Sequence, residues 1–201
     1  MTLNLVEINN EQIRVARQFK VLQDLSERVF ARVRAANKAM VYCCSDGRYS
    51  WDILQHLWGW TGAQLHLYAD HGGALNLAGD CRLQAEGSTL KYDRMQQIAT
   101  AHLSMGYDIL LNICHGPECK ALINREMQIN ASFDCYQTVA PTIGKMLPRL
   151  EVFNLFHRDK GDDGLRLYEY SAETWRSLRA QYPEPKWLPG SQPIIAPGLN
   201  V

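Results

Sequence analysis

The sequence predicts an α/β fold, a parallel-cored β-sheet flanked by helices, with a long N-terminal helix. Three observations predict it. Short apolar runs alternate with segments of helical period along the chain, and that alternation favours βαβ units over an antiparallel meander. The runs "AMVYCC" and "YDILLNIC" are almost continuously apolar, as strands covered on both faces are. No internal repeat, low-complexity tract or linker divides the 201 residues, a length that suits a single core. We therefore take 1–201 as one domain, with a helical arm over 1–37 and a proline-rich extended tail over 183–201.

The elements follow in order. Residues 9–36 read as one amphipathic helix, capped by Asn9 or Asn10 and with Glu11 in its first turn. Phe19, Leu22, Leu25, Val29 and Val33 recur at spacings of three and four, and Arg14, Arg17, Arg28 and Arg32 line the other face. "AMVYCC" is a buried strand, and "YSWDILQHLWGW" is a helix ended by Gly59 or Gly62. Its tryptophans at 51, 58 and 60 are expected to pack it onto the sheet. "AQLHLYA" is the next strand, and "DHGGALNLAGD" is a glycine-rich loop entering a turn. "STLKYDRMQQIATAHLSMG" is a helix with Ser88 as N-cap and Gly106 as its stop. "YDILLNIC" is a strand and "PECKALINREMQ" a helix. "CYQTVAPTIGKMLPRL" is helical, interrupted at Pro141. "LEVFNLFHRD" and "GLRLYEYS" are strands joined by the turn "KGDDG".

Composition narrows the function. The formal net charge is zero, which gives no electrostatic footprint for nucleic acid or an anionic membrane. The start "MTLNLVEINNEQ" lacks the basic-then-apolar pattern of a signal peptide. No apolar run approaches the roughly 20 residues of a bilayer span. The expectation is a cytoplasmic, soluble protein without nucleic-acid or membrane partners. In that compartment the six cysteines read as buried thiols, metal ligands or nucleophiles rather than as disulfides.

Three chemically rich stretches fall at predicted strand ends: "CCSDGR", "ADHGG" and "CHGPEC". In parallel sheets, ligands collect beyond the carboxyl ends of the strands. Cys44, His115 and Cys119 form a Cys2His set. Three protein ligands of that kind leave the fourth zinc position open, as in catalytic sites. Strand alternation turns Cys43 away from Cys44 and Cys114 away from His115. Cys81 and Cys135 have no local partners. Asp46 and Arg48 lie on the same side of an extended segment as Cys44. A carboxylate held by arginine stays ionised and can orient a water on the metal.

Cys44-Ser45-Asp46-Gly47-Arg48 resembles the Cys-x-Asp-x-Arg motif of the β-class carbonic anhydrases, and the element order over residues 10–170 is similar to that family. The resemblance implies a parallel-cored α/β sheet and a homodimer or higher homo-oligomer. It implies Zn2+ held by Cys44, His115 and Cys119, with Asp46 and Arg48 as the catalytic dyad. The implied reaction is reversible hydration of CO2 to bicarbonate by a metal-bound hydroxide. Where the family has an Arg-Asn-Ala-Gly stretch, this chain has Asp70, His71, Gly72 and Gly73, expected to shape the substrate pocket, with His71 able to carry protons. Gly116, Pro117 and Glu118 separate His115 from Cys119, one residue more than in the family. These departures motivate two alternatives. One is a hydrolase of COS or CS2 on the same zinc. The other is an inactive zinc-stabilised binding or scaffold protein. A more distant reading takes Cys44 beside Arg48 as a nucleophilic thiolate.

Overall fold

The structure is a computed structural model that describes residues 4–78, 90–124, 126–158 and 167–182, the side chains of Gly47 and Arg48 excepted. The expected Ser88 cap, Cys81, the "KGDDG" turn and the tail over 183–201 lie outside the described residues.

The chain enters through helix α1 (Leu5–Gln18), strand β1 (Leu22–Asp24) and helix α2 (Glu27–Ala36). Next come β2 (Lys38–Cys44), α3 (Gly47–Thr61), β3 (Gln64–Asp70) and a 3-10 turn over Gly73–Leu77. Then follow α4 (Leu90–Met105), β4 (Ile109–Gly116), the single turn α5 (Lys120–Ile123), α6 (Ile129–Tyr136) and α7 (Val139–Met146). Finally β5 (Glu151–Arg158), β6 (Leu167–Tyr170) and α8 (Ala172–Gln181) complete the described elements. One six-stranded sheet has the order β1-β6-β5-β4-β2-β3. Its core, β3-β2-β4-β5, is parallel, while β6 and β1 add antiparallel strands at one edge.

Side-chain alternation divides the core between the two faces of the sheet. Ala39, Val41 and Cys43 of β2 join Ile109, Leu111 and Ile113 of β4 against Val29 and Val33 of α2 and Ile53 and Leu57 of α3. Met40, Tyr42 and Cys44 project the other way, into a larger cluster with α1, α4, α6, α7 and α8. Trp175 of α8 is fully buried there and donates its indole N–H to Asp134 at 3.0 Å. Truncating such a side chain costs about 3–5 kcal/mol.

The expected single helix over 9–36 is two helices with a strand between them. Lys20 takes a left-handed φ of 58°, and the Val21 N–H closes on Ala16 O at 2.8 Å. Leu22 then pairs with Tyr170 of β6. Val21 and Leu22 are almost wholly buried, so the sheet edge shields more apolar surface than a continuous helix would. The cap is also elsewhere: Asn4 and Glu7 form a reciprocal capping box. Asn9 is buried, and its Oδ1 accepts the Ile129 N–H at 3.0 Å, while Gln12 Oε1 accepts that of Asn130. Both side chains thus satisfy otherwise orphaned amides in the first turn of α6.

Other differences are smaller. "PECKALINREMQ" keeps only one helical turn. The break near Pro141 falls before it, so Pro141 sits in the first turn of α7, where its missing N–H has no intrahelical acceptor. Helix α8, absent from the expectation, is capped by Ser171, whose Oγ accepts the Thr174 N–H at 3.2 Å. Of the three tryptophans expected to pack α3 onto the sheet, Trp60 is half-buried and meets Phe30 of α2 edge-on at 5.4 Å instead. Trp51 and Trp58 are each 65% exposed.

Candidate metal centre

Strand pairing itself opens the site. The β2–β4 ladder stops at Tyr42 and Asn112. The outer ladders continue, β2–β3 to Cys44 and Asp70, and β4–β5 to Gly116 and Arg158. The two central strands therefore part at their carboxyl ends. That is also where the strand order reverses, since β3 lies on one side of β2 and β4 on the other. Such a switch point is the usual ligand crevice of a parallel sheet.

Cys44 ends β2, His115 lies at the end of β4, and Cys119 caps α5. Their ligand atoms all lie within 4.8 Å of one another, and all three residues are buried. Tetrahedral zinc spaces sulfur and nitrogen donors roughly 3.5–3.8 Å apart, so the cluster needs a contraction of only about 1 Å. The predicted ligand set is thus brought together. Cys43 points into the α2–α3 face and is buried there, away from the crevice.

The electrostatics suit a cation. A hydrogen bond from the Cys119 thiol, together with a hydrogen bond and charge from His115 and the Asp46 backbone N–H, holds the Cys44 thiol down to about 4, against the opposing effect of burial. Cys119 moves the other way. It donates to Cys44 and is buried, and the amides of Leu122 and Ala121 only partly offset this. Two sulfurs this close titrate as a pair and share a single proton. A divalent cation replaces that proton and satisfies both sulfurs. Burial pushes the Cys43 thiol up to about 12, so it stays protonated. Among these sulfurs, the donor chemistry of Cys44 and Cys119 with His115 fits zinc.

Asp46 follows two residues after Cys44, and its backbone N–H bonds to the Cys44 sulfur. Its carbonyl accepts the N–H groups of Tyr49 and Ser50 at 3.0 and 3.2 Å, which starts α3. Arg48 follows in the first turn, and its side chain lies outside the described residues. Tyr49 crosses back over the site. Its ring lies 5.1 Å from that of His115, and its hydroxyl donates to Glu118 Oε2 at 3.0 Å.

The glycine-rich loop flanks the other side. Asp70 is taken up by Arg94, which donates to both carboxylate oxygens at 2.8 and 2.7 Å, and by the Tyr42 hydroxyl at 2.8 Å. His71 is exposed, and its carbonyl accepts from Asn76 Nδ2 at 3.0 Å. Gly72 and Gly73 both take positive φ, and Gly73 packs directly on the Cys43–Cys44 backbone. Sequence reasoning overlooked Arg94, Tyr49 and His157. The i, i+3, i+7 spacing of Tyr49, Asp52 and His56 along α3 was a legible signal for a polar stripe.

No protein-family model matches the chain, and no curated protein sequence matches it. Among solved structures the chain is similar to the β-carbonic anhydrase CafA of the fungal pathogen Aspergillus fumigatus, at 9% identity and a TM-score of 0.43. That match covers 87% of this chain and 94% of the other.

Proposed function

We propose that this chain is a zinc enzyme that hydrates CO2 reversibly to bicarbonate. The observation that carries the proposal is the buried Cys44–His115–Cys119 cluster in the crevice between β2 and β4. Three protein donors leave one position of a tetrahedral metal for solvent. When bound, zinc supplies Lewis acidity that brings the pKa of water to about 7. The chain's own residues do the rest. Asp46, two residues beyond Cys44, accepts a hydrogen bond from water in the crevice and so orients it. Arg48, in the next turn, keeps that carboxylate ionised. The amino end of α3, a helix of 15 residues, favours the anionic product through its dipole. Gly73 sets the pocket wall by letting the loop touch β2, and Asp70, His71 and Gly72 complete that wall.

In this reading the working unit is a homodimer. An uncharged face of Trp51, Leu54, Trp58, Leu65 and Leu67 on α3 and the edge strand β3 supports a second copy as its partner. Cys43, Cys44, Cys114, Cys119 and Cys135 are in no disulfide, which supports a reducing, cytoplasmic compartment. Among the described residues no helix is long and apolar enough to cross a membrane.

Metal analysis combined with stopped-flow CO2 hydration tests the proposal. The expected result is about one zinc per chain and hydration that disappears in Cys44→Ser. Zinc-loaded protein that ignores CO2 but hydrolyses COS or CS2 would replace the substrate. Zinc-loaded protein inert to all three would make the chain a zinc-stabilised scaffold.

A further inference from the structure

Strand β5 ends in a charge without a counterion. His157 turns to the α3 side, where its Nε2 lies 2.9 Å from Asp52 Oδ2. Alternation turns Phe156 and Arg158 to the opposite face, beside α1. Arg158 is half-buried, and its Nε is shut off from solvent with no hydrogen-bond partner. Among the described residues its guanidinium enters no ion pair. Buried polar groups are almost always satisfied, and an orphan one points to a water, ion or ligand that completes it.

Arg158 lines a groove of about 1030 Å³ between α1 and β1, at the upper end of the range for small-molecule sites. Two further cations line it. The Arg17 guanidinium lies 4.9 Å from the ring centre of buried Tyr168, and Tyr168 is the register partner of Phe156. Lys20 takes a left-handed φ of 58°, strained for a residue with a side chain, and its N–H donates to Arg17 O at 2.9 Å. Three carboxylates share the lining. Glu11 is paired with Arg14. Glu7 precedes Arg17 by ten residues, or about 15 Å of helix. Asp24 is left beside Arg17, Lys20 and Arg158, so three cations face one carboxylate and this end carries a net charge of +2. Leu22 is the one apolar residue of the described lining, which holds no aromatic ring. Asn10 and Gln18 add neutral amides along α1.

We propose that this end of the groove binds the phosphate group of a small, non-aromatic phosphate monoester, such as a sugar phosphate. Arg158 and Arg17 donate to the phosphate oxygens, since a planar guanidinium matches phosphate geometry. Lys20 adds the third positive charge. A phosphate monoester carries about −1.5 to −2 at pH 7, which balances the local charge and gives the buried Nε of Arg158 its acceptor. The rest of the groove, walled by Asn10 and Gln18, takes the hydroxyl-bearing body. Its described lining offers no ring on which a nucleotide base could stack. The site lies outside the metal crevice and does not rest on the CO2-hydration reading.

The test is calorimetric titration of the full chain, in phosphate-free buffer, with glucose 6-phosphate, inorganic phosphate, AMP and glucose. Glucose 6-phosphate should bind at a single site and more tightly than AMP, and glucose should not bind. Inorganic phosphate that binds as tightly as glucose 6-phosphate would support the same site with free phosphate as its ligand. Arg158→Met should weaken binding at least about tenfold, the loss expected for a charge-assisted hydrogen bond. Arg28→Ala, which removes an exposed cation outside the groove, should change binding by less than about twofold. Thermal unfolding separates binding from a structural role. Arg158→Met should keep the midpoint of the ligand-free protein and lose only the rise that glucose 6-phosphate gives the wild type. Zinc-loaded and chelator-treated wild type should bind the ester alike. Binding that needs zinc would place the anion on the metal and overturn the proposal. So would a wild type that takes up neither the ester nor phosphate at millimolar concentration, an Arg158→Met variant that binds as wild type does, or AMP that binds more tightly than glucose 6-phosphate.

Discussion

Gly73 lies so close to Cys44 that a Cβ on it would come within 2.3 Å of the Cys44 backbone nitrogen and 2.8 Å of its Cα. The loop after β3 therefore braces the end of β2 from which the first metal ligand projects. Backbone cannot swing aside as a side chain can, and the φ of +51° at Gly73 adds strain for any L side chain. Gly73→Ala is expected to lose about 2–4 kcal/mol of stability and most of the bound metal. Gly72→Ala is the control. Its φ of +86° is also unfavourable, but its Cβ would meet nothing closer than Asn76 Oδ1 at 3.5 Å, so only about 1 kcal/mol should be lost and zinc should stay. Thermal unfolding and metal content together check both.

The two central strands, β2 and β4, were legible because burial on both faces writes itself locally, as nearly unbroken apolar runs. The metal ligands were legible for the same reason, since each follows such a run. The N-terminal segment misled because Phe19, Leu22, Leu25, Val29 and Val33 satisfy a helical spacing. What redirects Leu22 is its pairing with Tyr170, a partner remote in sequence. His157 was hidden likewise, because only the β4–β5 register sets it opposite His115. Asp70 looked available to a substrate because Arg94, its partner, lies beyond the following loop on α4.

Adjacent cysteines should behave oppositely. Cys44 joins the cluster, whereas Cys43 is fully buried against α3 with its thiol pushed up to about 12 by burial. Cys44→Ser should abolish stoichiometric zinc binding. Cys43→Ser should keep the metal and lose about 1–2 kcal/mol, from placing a hydroxyl in an apolar cluster. Equal metal loss in both variants would refute the division of the two thiols between opposite faces.

Arg94 should matter for stability. It pairs bidentately with Asp70, both side chains being 14% exposed, and its guanidinium stacks over the rings of Tyr42 and Tyr68. Arg94→Ala strands a partly buried carboxylate, and about 2–3 kcal/mol should be lost. Arg94→Lys should recover only part of this, because an ammonium cannot reproduce the planar fork. Combining Asp70→Asn with Arg94→Ala should be less destabilising than Arg94→Ala alone. Urea denaturation of wild type, Asp70→Asn, Arg94→Ala and the double variant measures the coupling.

Trp58 offers the test of self-association. Trp51 and Trp58 are each 65% exposed and Leu67 is 39% exposed, around a groove of about 380 Å³ with no charged residue in its lining. A surface without charge meets its own copy without like-charge repulsion, and tryptophan is enriched at such centres. Light scattering should return about twice 22.9 kDa for wild type, and the monomer mass for Trp58→Glu. A monomeric wild type at micromolar concentration would refute the dimer.

Metal uptake should release protons, and the sulfur pair sets how many. Cys44 is held to about 4, chiefly by the hydrogen bond from Cys119, and Cys119 is pushed far up because it supplies that hydrogen bond and is buried. Above the first of these values the pair holds one proton, and it keeps that proton well into the alkaline range. Zinc takes both sulfurs as thiolates and His115 as a neutral imidazole, so the sulfur pair gives up one proton for each ion bound, and His115 gives up its own wherever it is charged. Protons therefore compete with the metal. Apparent affinity should rise by about tenfold per pH unit from about pH 7 to 9, and fall correspondingly on acidification. Indicator dye in weakly buffered solution counts the protons, and a competing chelator measures the affinity. Zinc uptake with no proton released between pH 7 and 9 would mean that the two sulfurs share no proton, which would remove the electrostatic argument for the pair. In Cys119→Ala the hydrogen bond to Cys44 is gone, so Cys44 should titrate higher in the metal-free protein, in the direction opposite to its shift in the native site.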